Sequence, residues 1–406
     1  MNILAVHNSY QQPGGEDQVF ALETALLERH GHRVIRYQVH NNQMPGYSPS
    51  LAGRVIWNRE SYRRARAAIR DERIELVHVH NTFPLISPSV YYAAKREGVP
   101  VVQTLHNYRL LCVNATLFRD GHPCTDCVAK PLPWPGVLRA CYRGSRLASG
   151  GVSGIVTAHR LLRTWTRKVD VYIALSQAAR DLFVAGGLPP EKILVKPNFV
   201  DPDPGAGEGK GGYALFVGRL VTEKGIATLL QAWRRLGRRI PLEVIGDGPM
   251  AGEVDEAART IPGIRRHPWL PREKVFEWMK NASMLVVPSV WHETFGLIVV
   301  EAFAMGLPVV ASRLGSLATL VRHDGTGRHF TAGDPGDLAD QVEWLLDRPD
   351  ALASMRRRAR LEFEAGYTGD HNYARLLDIY RHAAKCNLER RNLRRPACEE
   401  LAGLGG

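Results

Sequence analysis

The chain has 406 residues, with 53 Lys and Arg against 41 Asp and Glu, a formal net charge of +12 and an apolar fraction of 45%. That length suits two domains, each burying its own core, and the composition excludes a disordered or fibrous chain. No run of eighteen or more apolar residues occurs, so no membrane-spanning helix is expected, and the charge invites an anionic partner, either nucleic acid or a membrane surface.

Residues 1–6 read as a strand rather than a secretion signal, so a cytoplasmic chain is expected. The first half then alternates. Strands are predicted at 3–7, 32–37, 76–80, 99–105 and 169–175, with a helix at 18–29 ended by Gly31 and another opening at Ser176, whose hydroxyl can cap it. Alternation at this spacing predicts a parallel, doubly wound sheet. Residues 201–212 are rich in Pro and Gly and read as a linker. The pattern restarts beyond it, with strands at 213–217, 242–245, 284–287 and 309–311 and helices at 226–235, 274–279 and 298–305. A last helix is predicted over 372–385, with a disordered tail at 386–406.

The span 291–308 is the most informative. Glu293 falls in a loop at the carboxyl end of the strand 284–287, and Glu301 falls about two turns later on the following helix. In an open α/β sheet that crevice is where ligands bind. Two carboxylates there need donors, and the hydroxyls of a sugar supply them. Upstream, Arg219 and Lys224 follow the strand 213–217 in a loop, where Arg219 can bind two oxygens with its planar fork and Lys224 acts as a compact charge. Gly14 and Gly15 lie between the first strand and first helix, where glycine lets a backbone come close to a ligand. No GxGxxG or Walker A sequence is present, which argues against dinucleotide enzymes and P-loop NTPases. Asp201-Pro202-Asp203 matches an Asp-x-Asp metal pattern but sits in the linker with no strand before it.

The spacing of Glu293 and Glu301, the Gly218-Arg219-Leu220 and Glu223-Lys224-Gly225 runs, and the glycines of Pro13-Gly14-Gly15-Glu16 together resemble the retaining family-4 glycosyltransferases of the GT-B fold. The resemblance covers the chain to about residue 385. It implies an α/β architecture of two Rossmann-like domains with parallel sheets facing across a cleft. Residues 1–200 would form the acceptor domain, 201–212 the linker, 213–370 the nucleotide-sugar domain, and 371–385 a helix crossing back. It also implies the roles. Glu293 would hold donor-sugar hydroxyls and Glu301 the ribose. Arg219, Lys224 and the amides of Thr294, Phe295, Gly296 and Leu297 would face the diphosphate. His106 would line the sugar pocket. The loops carrying Gly248 and Leu270 would hold a base that the sequence leaves open among uracil, guanine and adenine. No catalytic metal is expected. The acceptor would be a saccharide or lipid-linked hydroxyl in polysaccharide or glycoconjugate biosynthesis. One departure is the stretch 314–319, which lacks the glutamate usual in the family. A phosphorylase or epimerase on the same scaffold, or a non-catalytic basic protein, are the alternatives.

Two features lie outside that pattern. Cys112, Cys124, Cys127 and Cys141 fall in a loop at 107–145 that resembles a cysteine-rich insertion in a subgroup of these enzymes. Four cysteines with one C-x2-C spacing suit a structural Zn²⁺, with His122 as a substitute ligand, or else are free thiols. Arg54, Arg59, Arg63, Arg64, Arg66 and Arg70 crowd one segment with Trp57 and Tyr62. That segment is either a solvated face or a docking surface for the inner face of an anionic membrane. No nucleic-acid motif accompanies the charge, so nucleic acid is not expected as a partner.

Overall fold

A computed structural model of the chain describes residues 1–11, 14–43 and 49–392. Pro13, which precedes the glycine pair, therefore lies outside the described residues. Six parallel strands form the first sheet. β1 (Asn2–Ser9), β2 (Arg33–His40), β3 (Leu76–Val79) and β4 (Val101–Leu105) precede a small hairpin, β5 (Phe118–Arg119) with β6 (His122–Pro123). The sheet resumes with β7 (Val171–Ala174) and β8 (Ile193–Val195), in the order β2-β1-β3-β4-β7-β8. The second sheet is also parallel and six-stranded. It contains β9 (Ala214–Val217), β10 (Leu242–Ile245), β11 (Ile264–His267), β12 (Met284–Val287), β13 (Val309–Ser312) and β14 (Gly327–Phe330), in the order β11-β10-β9-β12-β13-β14. The central strands are buried on both faces, which is why they read as continuous apolar runs rather than alternating ones.

The order places the sites. In the first sheet the chain steps from β1 out to β2 and returns to β3 on the other side; in the second it steps from β9 to β10 and β11 and returns to β12. Each reversal opens a crevice at the carboxyl ends of the strands, between β1 and β3 and between β9 and β12.

The predicted strands and helices occur with shifted ends: the first helix begins at Gly15, the last spans Gly369–Asn392, and Ser176 Oγ accepts from the Ala179 amide at 3.1 Å. The expected disordered tail is corrected in part, because residues 386–392 continue the last helix and only 393–406 lie outside the described residues. That helix buries Leu376, Ile379, Tyr380 and Ala383 against Ile3, Leu76, Val102 and Ile173 of the first sheet. Residues 201–212 do not hang free. Gly207, Gly209 and Gly211 donate their amides to the carbonyls of Met305, Lys280 and Asn281, so the segment is laid along the second domain. Among the described residues no helix is long and apolar enough to cross a membrane.

Candidate functional site

The loops after β9 and β12 meet first. After β9 the chain makes a short turn, Thr222–Lys224, and leaves it through Gly225 at φ +73°. A Cβ on Gly225 would lie 1.8 Å from the Pro288 carbonyl oxygen, so only glycine lets this turn press against the end of β12. The packing brings Lys224 Nζ to 2.5 Å from Glu293 Oε1, while Ser289 Oγ donates to the same oxygen at 2.8 Å. Lys224 also stands over the Trp291 ring, 5.5 Å from its centroid. Glu293 is only 7% exposed. Burial alone would raise its pKa, but the charge of Lys224 and the hydrogen bonds from Lys224 and Ser289 outweigh it and hold the carboxyl below the ordinary range. Arg219 is exposed, and its guanidinium has no partner among the described residues.

Glu301 sits on the helix Leu297–Ala304, which opens at Gly296 with φ +103°. It is buried, and Oε1 takes hydrogen bonds from Gln18 Nε2 at 2.9 Å and Arg272 Nε at 3.1 Å. Here burial wins over Arg272 and Gln18, and the carboxyl is pushed up. The two acids thus differ in kind: Glu293 is held charged by a lysine, and Glu301 is the harder one to ionise. The amides of Thr294, Phe295, Gly296 and Leu297 donate no backbone hydrogen bond among the described residues, so four N–H groups gather at the foot of the helix. Ser316 Oγ donates to the Glu293 carbonyl at 2.9 Å. The stretch that lacks the family's glutamate thus braces the loop with a hydroxyl instead.

Across the cleft the same loop rests on the first domain. Thr294 Oγ1 donates to the His106 carbonyl at 3.0 Å, and Ser176 Oγ donates to the Thr294 carbonyl at 2.9 Å. His106 Nε2 is 2.9 Å from His80 Nδ1, and His80 Nε2 is 3.5 Å from Glu23 Oε2, whose other oxygen is 2.5 Å from Lys196 Nζ. Burial, aided by neighbouring cations and imidazoles, holds both imidazoles well below their ordinary pKa, so they are neutral. One of His80 Nδ1 and His106 Nε2 donates to the other, while Glu23 Oε2 is buried with no hydrogen-bond partner among the described residues. Glu23, His78 and His80 form the one set of three metal-type ligands close together among the described residues. The Lys196 ammonium already occupies the cation's place there, and both ring nitrogens of His78 are bonded, to Tyr380 and Thr104.

Gly14 and Gly15 both have room. A Cβ on Gly14 would come no nearer than 3.9 Å to Asp17, and one on Gly15 would meet nothing within 4 Å, so no contact among the described residues requires glycine at either position. The opposite holds for Gly248, where a Cβ would lie 2.5 Å from the Leu220 carbonyl oxygen; loop packing alone accounts for that glycine. The Gly248 and Leu270 loops are tied together by Asp247, which accepts from the Trp269 amide at 2.8 Å. Next to Gly15, the Glu16 carboxyl takes hydrogen bonds from Asn81 at 2.8 Å and Asn107 at 3.1 Å, with no cation paired to it. Burial pushes its pKa up to about 8. Beside it opens a cavity lined by His80, Asn81, Phe83, His106, Asn107 and Arg109.

The remaining candidates divide. Cys112, Cys124, Cys127 and Cys141 line one small cavity behind the β5–β6 hairpin, and burial raises the Cys127 thiol to about 11. No three of their sulfurs come as close together as the Glu23, His78 and His80 ligand atoms do, so the thiols converge without closing on an ion. Asp201 pairs with Arg29 and Asp203 with Arg360, which leaves neither carboxylate of the Asp-x-Asp run free. On the helix Arg59–Asp71, Arg66 and Arg70 share Glu97, and Arg64 pairs with Glu60. Sequence reasoning missed Ser289, Arg272, Gln18, His80 and Glu16. Ser289 and His80 carried a positional signal, since Ser289 lies two residues past the strand 284–287 and His80 closes the predicted strand 76–80.

Two parallel six-stranded sheets that meet across a cleft of this kind define the GT-B class of glycosyltransferase. The chain superposes on Anabaena Alr3699/HepE in complex with UDP with a TM-score of 0.66 at 17% identity, covering 93% of this chain and 99% of that one. On the sucrose-phosphate synthase tll1590 from Thermosynechococcus elongatus the TM-score is 0.68 at 17% identity, covering 94% and 98%. The family described as Glycosyltransferase Family 4 matches residues 13–204, and that described as Glycosyl transferases group 1 matches residues 211–348. The D-inositol 3-phosphate glycosyltransferase 1 of Catenulispora acidiphila is 30% identical over 336 residues, 76% of this chain and 72% of that protein. The D-inositol 3-phosphate glycosyltransferase of Xylanimonas cellulosilytica is 27% identical over 425 residues, 94% and 91%. The chain belongs to the family-4, group 1 glycosyltransferases and is a glycosyltransferase.

Proposed function

We propose that this enzyme moves a sugar, with retention of configuration, from a nucleoside-diphosphate sugar to a hydroxyl of a saccharide or lipid-linked acceptor. The observation that carries the reading is the buried Glu293 carboxylate, held ionised by Lys224 and Ser289 beside the amides of residues 294–297, which make no backbone hydrogen bond among the described residues. A charged acceptor group, a cation and free N–H donors at one strand end suit a polyhydroxyl ligand that also carries a diphosphate. In this reading Glu293 takes sugar hydroxyls, and Glu301 takes the ribose hydroxyls with Gln18 and Arg272 steadying it. Arg219, Lys224 and the amides of Thr294 to Leu297 face the diphosphate. Gly14 and Gly15 leave room for phosphate to come near, the loops of Gly248 and Leu270 frame the base, and His106 lines the sugar pocket.

The chemistry follows from charge. The acceptor oxygen bonds to the anomeric carbon as the bond from that carbon to the phosphate oxygen breaks. The acceptor proton passes to the departing phosphate on the same face, so no carboxylate nucleophile is needed. Negative charge grows on the diphosphate, and groups aimed at it lower the barrier most in the transition state. No catalytic metal is invoked, and activity should survive brief chelation.

The UDP bound to Anabaena Alr3699/HepE makes a UDP-sugar the first donor to try. The test combines donor-dependent thermal shift with turnover in Glu293→Gln and Glu301→Gln. The first should cost mainly turnover and the second mainly donor affinity. Wild-type behaviour in both variants sinks the assignment. Arg219→Ala should lose about 10²-fold in rate with little change in donor affinity.

Two finer proposals accompany this. The enzyme serves polysaccharide or glycoconjugate assembly at the inner face of the cytoplasmic membrane. The four cysteines take a structural Zn²⁺, for which the raised thiols would have to give up their protons. Elemental analysis of protein purified without chelator decides the second; absence of zinc with four freely reactive thiols ends it.

A further inference from the structure

The sequence from residue 127 to residue 169 holds no Asp or Glu and eight Lys and Arg. Four of these, Arg139, Arg146, Arg163 and Arg167, are exposed and in no ion pair among the described residues. The same stretch gathers exposed apolar side chains. Of the thirteen large ones on the described surface, Leu132, Trp134, Leu138, Leu147, Leu161 and Leu162 fall here. Ile56 and Trp57 adjoin them, since His159 binds the Ile56 carbonyl at 3.0 Å.

The helix Arg146–Leu161 shows the pattern most clearly. Its inner face buries Val152, Ser153, Val156 and His159. Its outer face carries Leu147, Gly151, Gly154 and Leu161, with Leu147 89% exposed and Leu161 80% exposed. These positions recur near whole turns of a 3.6-residue helix, so they form one uncharged stripe. A helix facing water ordinarily carries its charges on that face. Here the charges stand at the ends and beside the stripe, and all are positive.

We propose that this face, made by the helix Arg146–Leu161 and the Trp134–Leu138 turn, docks the enzyme on an anionic lipid bilayer. Leucines and Trp134 enter the headgroup boundary, and the arginines meet lipid phosphates. Charge argues for lipid over a protein or a second copy. The stretch offers no acid to complement its own cations, so two copies would face like charge with like, whereas an anionic bilayer satisfies every one of them. The helix Arg59–Asp71 is the weaker candidate, because three of its arginines are already paired with Glu60 and Glu97. Docking has a consequence for the site, and here the argument rests on the proposed acceptor reading. Val152 and Val156 on the inner face line the cavity beside His106, so one helix separates that cavity from the lipid. A lipid-linked hydroxyl would need to travel only about one helix diameter, ~10 Å.

Flotation of the full chain with vesicles of equimolar phosphatidylcholine and phosphatidylglycerol, and with phosphatidylcholine alone, tests this. Binding is expected to the anionic vesicles and to weaken at high salt. It should fall at least ~10-fold in Leu147→Glu/Leu161→Glu and in Arg163→Glu/Arg167→Glu, where basic contacts are lost or reversed. Arg63→Ser/Arg64→Ser should bind as wild type does. All these positions are exposed, and unchanged melting with an intact UDP-induced shift in the same samples shows that fold and donor site survive, which separates failure here from failure of the glycosyl-transfer reading. No binding to anionic vesicles, or undiminished binding by the Leu147→Glu/Leu161→Glu protein, overturns the proposal. So does light scattering that shows a dimer dissolved by the same pair, since the face would then belong to a second copy.

Discussion

Lys196 and Glu23 form an ion pair buried on every side, with His80 Nε2 3.5 Å from Glu23 Oε2. Such a pair is a poor source of net stability, but removing one partner strands the other charge in a medium that cannot solvate it. Lys196→Met should therefore cost about 3–5 kcal/mol in urea unfolding, and Lys196→Met with Glu23→Leu should recover much of the loss. Glu16 tells a different story at the same scale. Burial pushes its carboxyl up to about 8 from the ordinary 4.5, with no cation paired to it among the described residues. Between those values the native state holds a proton that the unfolded chain has released, so stability falls as pH rises through the window and levels off above it. Glu16→Gln, which resembles the protonated acid, should remove that decline. Urea midpoints on the acid and alkaline sides of the window would show it: equal on the acid side, higher for the variant on the alkaline side. Neither group could be singled out from sequence, since a lone acid in a helix's first turn or a lone lysine after a strand is ordinarily solvated.

At the scale of elements, strands and turns carry the site more than helices do. Gly225 shows why. It lets the turn after β9 touch the end of β12, and that touch sets Lys224 against Glu293. Gly225→Ala would meet a carbonyl oxygen at 1.8 Å in a left-handed backbone. Strain of about 1–3 kcal/mol is expected, and the turn must shift to relieve it. The shift should loosen Lys224 from Glu293, and turnover should fall further than thermal stability alone would explain. The Glu223-Lys224-Gly225 run was readable through its resemblance to the family's pattern and its distance from Glu293, since basic residues at a turn are by themselves common. Arg272 and Gln18 were not readable. Each reaches Glu301 from an element remote in sequence, and nothing local distinguishes them from other polar residues at helix starts.

The two sheets hold together through the cleft loop and through the last helix. Tyr380 is wholly buried on the first sheet and its hydroxyl is 2.8 Å from His78 Nδ1; Asn387 Nδ2 donates to the Gly98 carbonyl at 2.9 Å and Arg390 pairs with Asp170 at 2.9 Å. The helix Gly369–Asn392 is thus part of the first domain's core. Tyr380→Ala should cost about 3–5 kcal/mol, felt in the unfolding of the first domain rather than the second, because the lost contacts are with β1, β3, β4 and β7. Limited proteolysis followed by mass mapping would show which half opens. A cut-site pattern centred on the second domain would contradict this.

Local chemistry determined what the sequence shows by itself. Apolar runs of strand length separated by amphipathic helices name a parallel sheet, and Glu293, Glu301, Arg219 and Lys224 follow strands or open helices, so their places at the strand ends are fixed by their neighbours in the chain. Tertiary structure decided everything that depends on distant elements meeting. It ionised Glu293 and kept Glu301 and Glu16 reluctant to ionise, since burial and partners set each balance. It carried the last helix past residue 385, because packing on the first sheet outweighs a polar composition. It also paired Arg64, Arg66 and Arg70 of the helix Arg59–Asp71 while leaving Arg139, Arg146, Arg163 and Arg167 in no ion pair among the described residues. A pairing of charges is a fact of distance, and distance between remote residues is what one-dimensional order does not contain.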